Sequence, residues 1–360
     1  MLTEGLARWQ LATGTTILEG WSRHLPRWVL VIFFSYLVLW SIAVSGALIS
    51  GCGLAVENIT RGAVPFVWGA LAHAVVAFLF IYTARTARFT FIMKPLIAVM
   101  FVSVVLCAAL TFHDPAAVLG GLLVPKIPSG GGPYVLSLIG GIGGSLTLLS
   151  YSHLLRQEGL NHASNLGRVR LDLAMAYLFT AIFGFSIMTI AARVFHNAGI
   201  ALTDSEAISR MAGQLAEITG PLGFYVYSIG FWAAVVASLM GVWAAVPHIF
   251  ADCLSLLKHS AAGGREVETA SPSYRAALGF IALASIPFAF VQRPLLVVVI
   301  FTIIGSLFIP FLAGTLLYLN NRIPWRSAIA HNQRPTNAVL IVVLLLFLAV
   351  VVWEIPSLFR

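Results

Sequence analysis

Runs of roughly twenty consecutive apolar residues recur along this chain, separated by short polar segments, and nothing else in it restricts the fold so strongly. A run of about 20 apolar residues is the length of α-helix that crosses the hydrocarbon core of a bilayer. A membrane β-barrel would instead show segments of about 10 residues with alternating polarity, and the pattern lacks them. Composition agrees: 59% of the 360 residues are hydrophobic and 9% are charged, where a soluble domain has about a quarter charged. In water such a chain would expose too much apolar surface, so lipid must cover part of it. An all-α polytopic membrane protein is expected.

The apolar blocks predict about nine spans, near 28–54, 64–83, 91–112, 134–155, 171–194, 222–250, 275–291, 295–319 and 337–355. Alternate connections divide the basic residues unequally. Fifteen of the 21 fall in the set around Arg8, Arg88, Arg168, Arg265 and Arg326, with three in every loop; the others are Arg61, Lys126, Arg193, Arg210, Arg293 and Arg360. By the positive-inside bias the N-terminus is cytoplasmic and the C-terminus outside, in a bacterial inner membrane. The charge of +8 is therefore accounted for by short loops, and no basic, aromatic-interleaved surface is left for nucleic acid. Cys52, Cys107 and Cys253 have neither metal-ligand nor disulfide spacing and read as buried bystanders.

Residues 1–27 carry Glu4, Arg8, Glu19, Arg23 and Arg27 without an apolar core, so they are not expected to be a signal peptide. Leu2, Leu6 and Trp9 share one helical face, which suits either a free interfacial helix or the tail of a helix that begins elsewhere. Residues 113–133, with four prolines and Gly130-Gly131-Gly132, read as an irregular connection. Residues 203–218 read as a short helix lying on the membrane as a lid, with Thr203 and Glu206 at capping-box spacing and Ile208, Met211, Leu215 and Ile218 on one face.

The most informative stretch runs from Ser137 to His153. Gly140, Gly141, Gly143 and Gly144 fall within five residues at mid-span, where glycine gives a helix little reason to stay wound. Freed backbone groups at that depth are tolerated where they face a cavity or ligand, as in the broken helices of transporters. Close helix packing through small residues is the other reading. Ser145, Thr147, Ser150, Tyr151 and His153 follow with oxygens and an imidazole. No Asp or Glu sits at mid-membrane, which leaves His73 and His153 as the remaining candidate proton carriers, with a neutral packing role the first expectation for each. Trp232 and Trp243 give the sixth span two mid-helix indoles, and Pro310 is expected to kink the eighth, whose polar face is Thr302, Ser306 and Thr315. Zinc-protease, P-loop and nucleophile-elbow motifs are missing, so no enzyme and no cofactor is expected.

Several of these segments resemble one family. Leu6-Ala7-Arg8-Trp9-Gln10-Leu11-Ala12-Thr13-Gly14 before the Trp28 span is similar to the end of the second helix and the third helix of Nramp-type divalent metal transporters. The glycine-rich span resembles their broken sixth helix, Gly230–Asp252 their eighth, and Ile309-Pro310-Phe311 the Leu-Pro-Phe of their tenth. The resemblance, closest to a divergent bacterial branch, implies a LeuT-like inverted-repeat bundle. The nine spans would be family helices three to eleven, N-terminally incomplete, with 1–27 a cytoplasmic segment that is the tail of a missing helix and 28–355 a single transporter domain.

It also implies divalent cation transport by alternating access, with manganese, iron or magnesium as passenger. The implied site is Gly140, Gly141, Gly143, Gly144, Ser145, Thr147 and Thr302, with Tyr151, His153, His73 and Trp232 as gating or proton-route residues. The departures are specific. The metal-binding Asp-Pro-Gly of the family's first helix has no counterpart. Its Met-Pro-His is replaced by Gly144-Ser145-Leu146, its tenth-helix glutamine by Thr302, and its acidic third-helix residues by Ala43, Ser45 and Gly46. With the soft sulfur that favours transition metals gone, the passenger is left open to a harder ion such as magnesium or to a different small solute. A carrier of an organic solute such as an amino acid, and a non-transporting scaffold, are the competing readings.

Overall fold

The computed structural model describes the chain except residues 84–85, 113–114, 124–131, 143–145, 161, 194–206, 259–268, 292, 323–328 and 355–360. The described residues contain helices and connections but no strand. Eight helical segments among them are long and apolar enough to cross a membrane, and a shorter apolar helix at Arg334–Phe347 follows them.

Helices α3 (Arg27–Ile59) and α11 (Pro221–Lys258) form the centre of the bundle. Their sequences explain this. Ser41, Ala43, Ser45, Gly46, Ser50, Gly51 and Gly53 give α3 a buried face of small side chains, against which neighbours approach closely. The Phe288 ring lies where a Cβ on Gly46 would stand, and the Phe66 backbone does the same at Gly53. Around this pair stand α4 (Phe66–Thr83), α5 (Thr86–Thr111), α9 (Leu166–Ala191) and α12 (Pro272–Ser285). Only 17% of the apolar window of α9 is buried, against 56% for α3, so α9 faces lipid.

Three spans are interrupted. The first consists of α7 (Gly132–Ile142) and α8 (Ser150–Gln157), with a 3-10 turn at Leu146–Leu149 between them. The second gives way after α12 to a 3-10 turn at Ile286–Phe290, where Pro287 has no N–H to continue the α pattern. The third splits at Leu307 into α13 (Pro294–Ser306) and α14 (Phe308–Arg322). The ring of Pro310 would collide with the Ser306 carbonyl of a continuous helix, so the interruption falls in the turn before the proline. Tyr36 of α3 donates its hydroxyl to the Ile304 carbonyl at that joint, 2.8 Å away, while its ring stacks on Phe308.

The amino-terminal segment is α1 (Leu2–Thr13) followed by α2 (Ile17–His24). Gly14 ends α1 in the left-handed region at φ 69°, and the Thr16 hydroxyl accepts from the Glu19 N–H to start α2. Helix α1 is not a free interfacial helix: Leu6, Arg8, Trp9 and Gln10 are all buried. Arg8 donates to the His331 carbonyl at 2.9 Å and to Asn332 Oδ1 at 2.7 Å, in the connection between α14 and α15 (Arg334–Glu354). Trp21 of α2 stands edge-on to Phe33 and Phe311 at 5.0 and 4.9 Å, closing an aromatic cluster over α3 and α14.

Two expected connections differ. Part of 113–133 is helix α6 (Pro115–Leu123), opened by a proline where a first turn tolerates one; the glycines and later prolines concealed it. The lid expected at 203–218 is α10 (Ala207–Thr219), with Thr203 and Glu206 outside the described residues. It is docked rather than afloat: Ala212 and Leu215 are buried against Val104, Cys107, Ile190 and Tyr227, whereas Ile218 is exposed.

Candidate functional site

The site begins where α7 crosses α13. Gly140 lies so close to α13 that a Cβ there would run into the Thr302 carbonyl and the Ser306 N–H. Gly141 has ordinary clearance, with Thr302 Cγ2 at 3.4 Å. One turn earlier, the hydroxyls of Ser137 and Thr302 are hydrogen-bonded across the two helices. Thr302, Ser306 and Thr315 are all buried. Thr302 also donates back to the Val298 and Val299 carbonyls, which is how a hydroxyl is kept inside an apolar helix. The structure therefore joins Gly140, Gly141 and Thr302, from helices far apart in sequence, at one polar junction.

Gly143, Gly144 and Ser145 lie outside the described residues. On either side of them α7 ends at Ile142 and the 3-10 turn begins at Leu146. Thr147 is half-buried on that turn, between buried Leu146 and Leu149. Helix α1 packs against both this turn and α8. Here polar groups remain without a protein partner among the described residues: both amide atoms of Gln10, which is fully buried, and the hydroxyls of Ser150 and Ser152.

The other residues singled out from sequence fall into three separate partnerships. His73 of α4 contacts the Gly69 carbonyl through Nδ1 at 2.8 Å and accepts at Nε2 from the Trp232 indole N–H at 3.0 Å. An accepting Nε2 requires the neutral ring with its proton on Nδ1, so the pair is a satisfied bridge between α4 and α11. Tyr151 of α8 donates to Asp172 of α9 at 2.8 Å. His153, also on α8, lies 3.0 Å from Asp252 of α11.

On α3, Ser45 accepts from the Trp243 indole at 3.1 Å and Gly46 is covered by the Phe288 ring. Ring packing thus occupies the Ala43–Gly46 region. Asp252 as a partner for His153 escaped the sequence reading, because a helix position shows nothing of a neighbour far along the chain. Tyr36 escaped for the same reason. Ser137 was visible only as the start of the glycine-rich stretch, and Gln10 only as part of a motif.

Among the described residues, no three His, Cys, Asp or Glu side chains converge as a metal site. The donors near the α7–α13 junction and the 3-10 turn are hydroxyl, amide and backbone oxygens, a hard set.

Comparison with known proteins gives two findings. The family model described as natural resistance-associated macrophage protein-like matches residues 1–359. The divalent metal cation transporter MntH of Chromohalobacter salexigens is 26% identical to this chain over 252 residues, which is 65% of this chain and 57% of that protein. The match thus spans little more than half the length of this curated relative.

Proposed function

The chain belongs to the Nramp family, and from that premise we propose that it carries a hard divalent cation, magnesium or manganese, across a membrane by alternating access. It is an integral membrane protein of LeuT-like, inverted-repeat helical fold. In this reading residues 28–355 form one transporter domain in a bacterial inner membrane, with the N-terminus cytoplasmic. The name of the MntH relative supports a divalent cation as passenger.

The observation that carries the proposal is the 3-10 turn at Leu146–Leu149 before α8, on the same apolar span whose α7 part bears the Ser137–Thr302 junction. An apolar span gains nothing from a non-α turn unless the freed groups meet a polar partner. The oxygen donors of this span and of α13 favour the choice of a hard ion: Thr147 and Thr302 carry hydroxyls, Ser145 adds another from sequence, and no sulfur stands among them. Gln10, Ser150 and Ser152 extend the polar lining toward α1 and α8.

The test is uptake by proteoliposomes holding the full chain, supplied with magnesium, manganese or iron. Magnesium or manganese uptake is expected. The double change Ser145→Ala, Thr147→Ala should lower apparent affinity by at least about tenfold, the equivalent of one contact of ~1.4 kcal/mol. Uptake unaffected by that change sinks the site. Accumulation of an amino acid in place of a metal sinks the assignment.

A further inference from the structure

Three helix ends meet at one corner of the bundle: the end of α2, the start of α3 and the end of α11. Between them lies a cavity of about 130 Å³, lined by Ser22, Arg27, Leu30, Leu256, Leu257 and Lys258. One water needs about 10–15 Å³ of such space, so the cavity has room for a polyatomic group. Its lining is graded with depth. Arg27 and Lys258 stand at the very ends of their helices, whereas Leu30 and Leu256 lie further into the spans and are buried.

Basic residues at span ends set orientation wherever they stand. These two differ in sharing one cavity that no carboxylate lines. The acidic residues nearest to them in sequence are engaged elsewhere: Glu19 of α2 pairs with Arg156 at 3.5 Å, and Asp252 of α11 lies 3.0 Å from His153. Arg27 donates from Nη2 to the Leu257 carbonyl at 2.8 Å, which ties α3 to α11 and covers a carbonyl at the end of that helix. A guanidinium has five N–H donors, and this bond uses one. Lys258 is exposed and enters no ion pair among the described residues. Two like charges held together without an acid repel each other, and a bound anion reverses the sign of that interaction. The positive end of the α3 dipole adds to the attraction.

We propose that this cavity binds the phosphate of an anionic glycerophospholipid, with Arg27 and Lys258 on the phosphate oxygens and Ser22 as a further donor. Phosphate is the common chemistry, and the apolar surroundings select its lipid form. The leucines continue the cavity toward the hydrocarbon, and Trp28, Val31 and Ile32 are exposed on the adjoining face of α3, where acyl chains can lie. A tryptophan at the start of a span marks the headgroup level. The inference is independent of what the chain carries.

The experiment is native mass spectrometry of the delipidated full chain, titrated with dioleoyl phosphatidylglycerol, with phosphatidylcholine of the same chains, and with inorganic phosphate. Phosphatidylglycerol should bind at least about tenfold tighter than phosphatidylcholine, whose choline cancels the charge, and inorganic phosphate should not displace it. Arg27→Gln and Lys258→Gln should each weaken phosphatidylglycerol binding about fivefold, and the double change more. Arg168→Gln, an exposed cation outside the cavity, should leave it unchanged. If Arg27→Gln folds poorly for want of its bond to Leu257, Lys258→Gln decides alone, because that side chain is exposed and unpaired. Equal affinity for the two lipids overturns the proposal, as does phosphatidylglycerol binding undiminished by Lys258→Gln. Inorganic phosphate that binds as tightly as the lipid overturns the lipid as its source.

Discussion

Gly140 has room for a hydrogen and nothing larger, because the Thr302 carbonyl of α13 stands where its Cβ would be. Gly140→Ala must therefore push α7 away from α13 or strain both, a cost of about 1–3 kcal/mol for overpacking a close contact. Gly141→Ala meets only Thr302 Cγ2 at 3.4 Å and should leave stability within about 0.5 kcal/mol. Melting of the two variants in detergent checks this, and equal losses would refute the assigned contact. The sequence marked both glycines as unusual but did not say which job each performs. Unwinding and close approach demand the same residue type, and only a neighbour's position separates them. For Gly140 the neighbour is a backbone carbonyl, so close approach accounts for it. Ser45 is similar: its small size was legible, whereas its role as acceptor for Trp243 depends on a helix far along the chain.

At the scale of elements, hydropathy marked out long apolar helices, eight of which among the described residues are long enough to cross a membrane, since a helix that must bury its backbone polarity in lipid announces itself by length and apolarity. It was not enough to locate α6, whose nine residues sit among prolines and glycines that read as a loop. Pro310 signalled a disturbance in its span, and the proline's clash with the preceding turn sets the interruption at Leu307. The Ile304 carbonyl at the joint is shared by the Leu307 N–H and the Tyr36 hydroxyl. Tyr36→Phe keeps the ring stacked on Phe308 and removes only the hydroxyl; the Ile304 carbonyl retains the Leu307 N–H at 3.2 Å, so the change should cost about 0.5–1.5 kcal/mol, the net worth of one hydrogen bond. Thermal unfolding of the variant in detergent measures it. A loss no larger than experimental error would mean that the joint does not rely on this bond.

For the whole molecule, the uneven distribution of Lys and Arg predicts an orientation that can be measured directly. A membrane-impermeant maleimide applied to intact cells should label Ala63→Cys, in the connection between α3 and α4, and spare Glu158→Cys, just beyond α8, until the cells are opened. The reverse pattern would invert the molecule. The polar contacts of the interior cross the whole bundle: Arg8 ties α1 to the α14–α15 connection, and His73 ties α4 to Trp232 of α11. The crossing at Gly140 has a consequence at this scale. It locks the backbone of α7 to α13, while α14, beyond Leu307, packs against α1, α2 and α15. One stretch of chain is thus owned at its two ends by different neighbours, and Leu307 marks the seam. Torque applied to α7 would be delivered to α13 undiminished and dissipated at that seam, so second-site suppressors of a damaged α7 should gather on α13 and be scarce on α14.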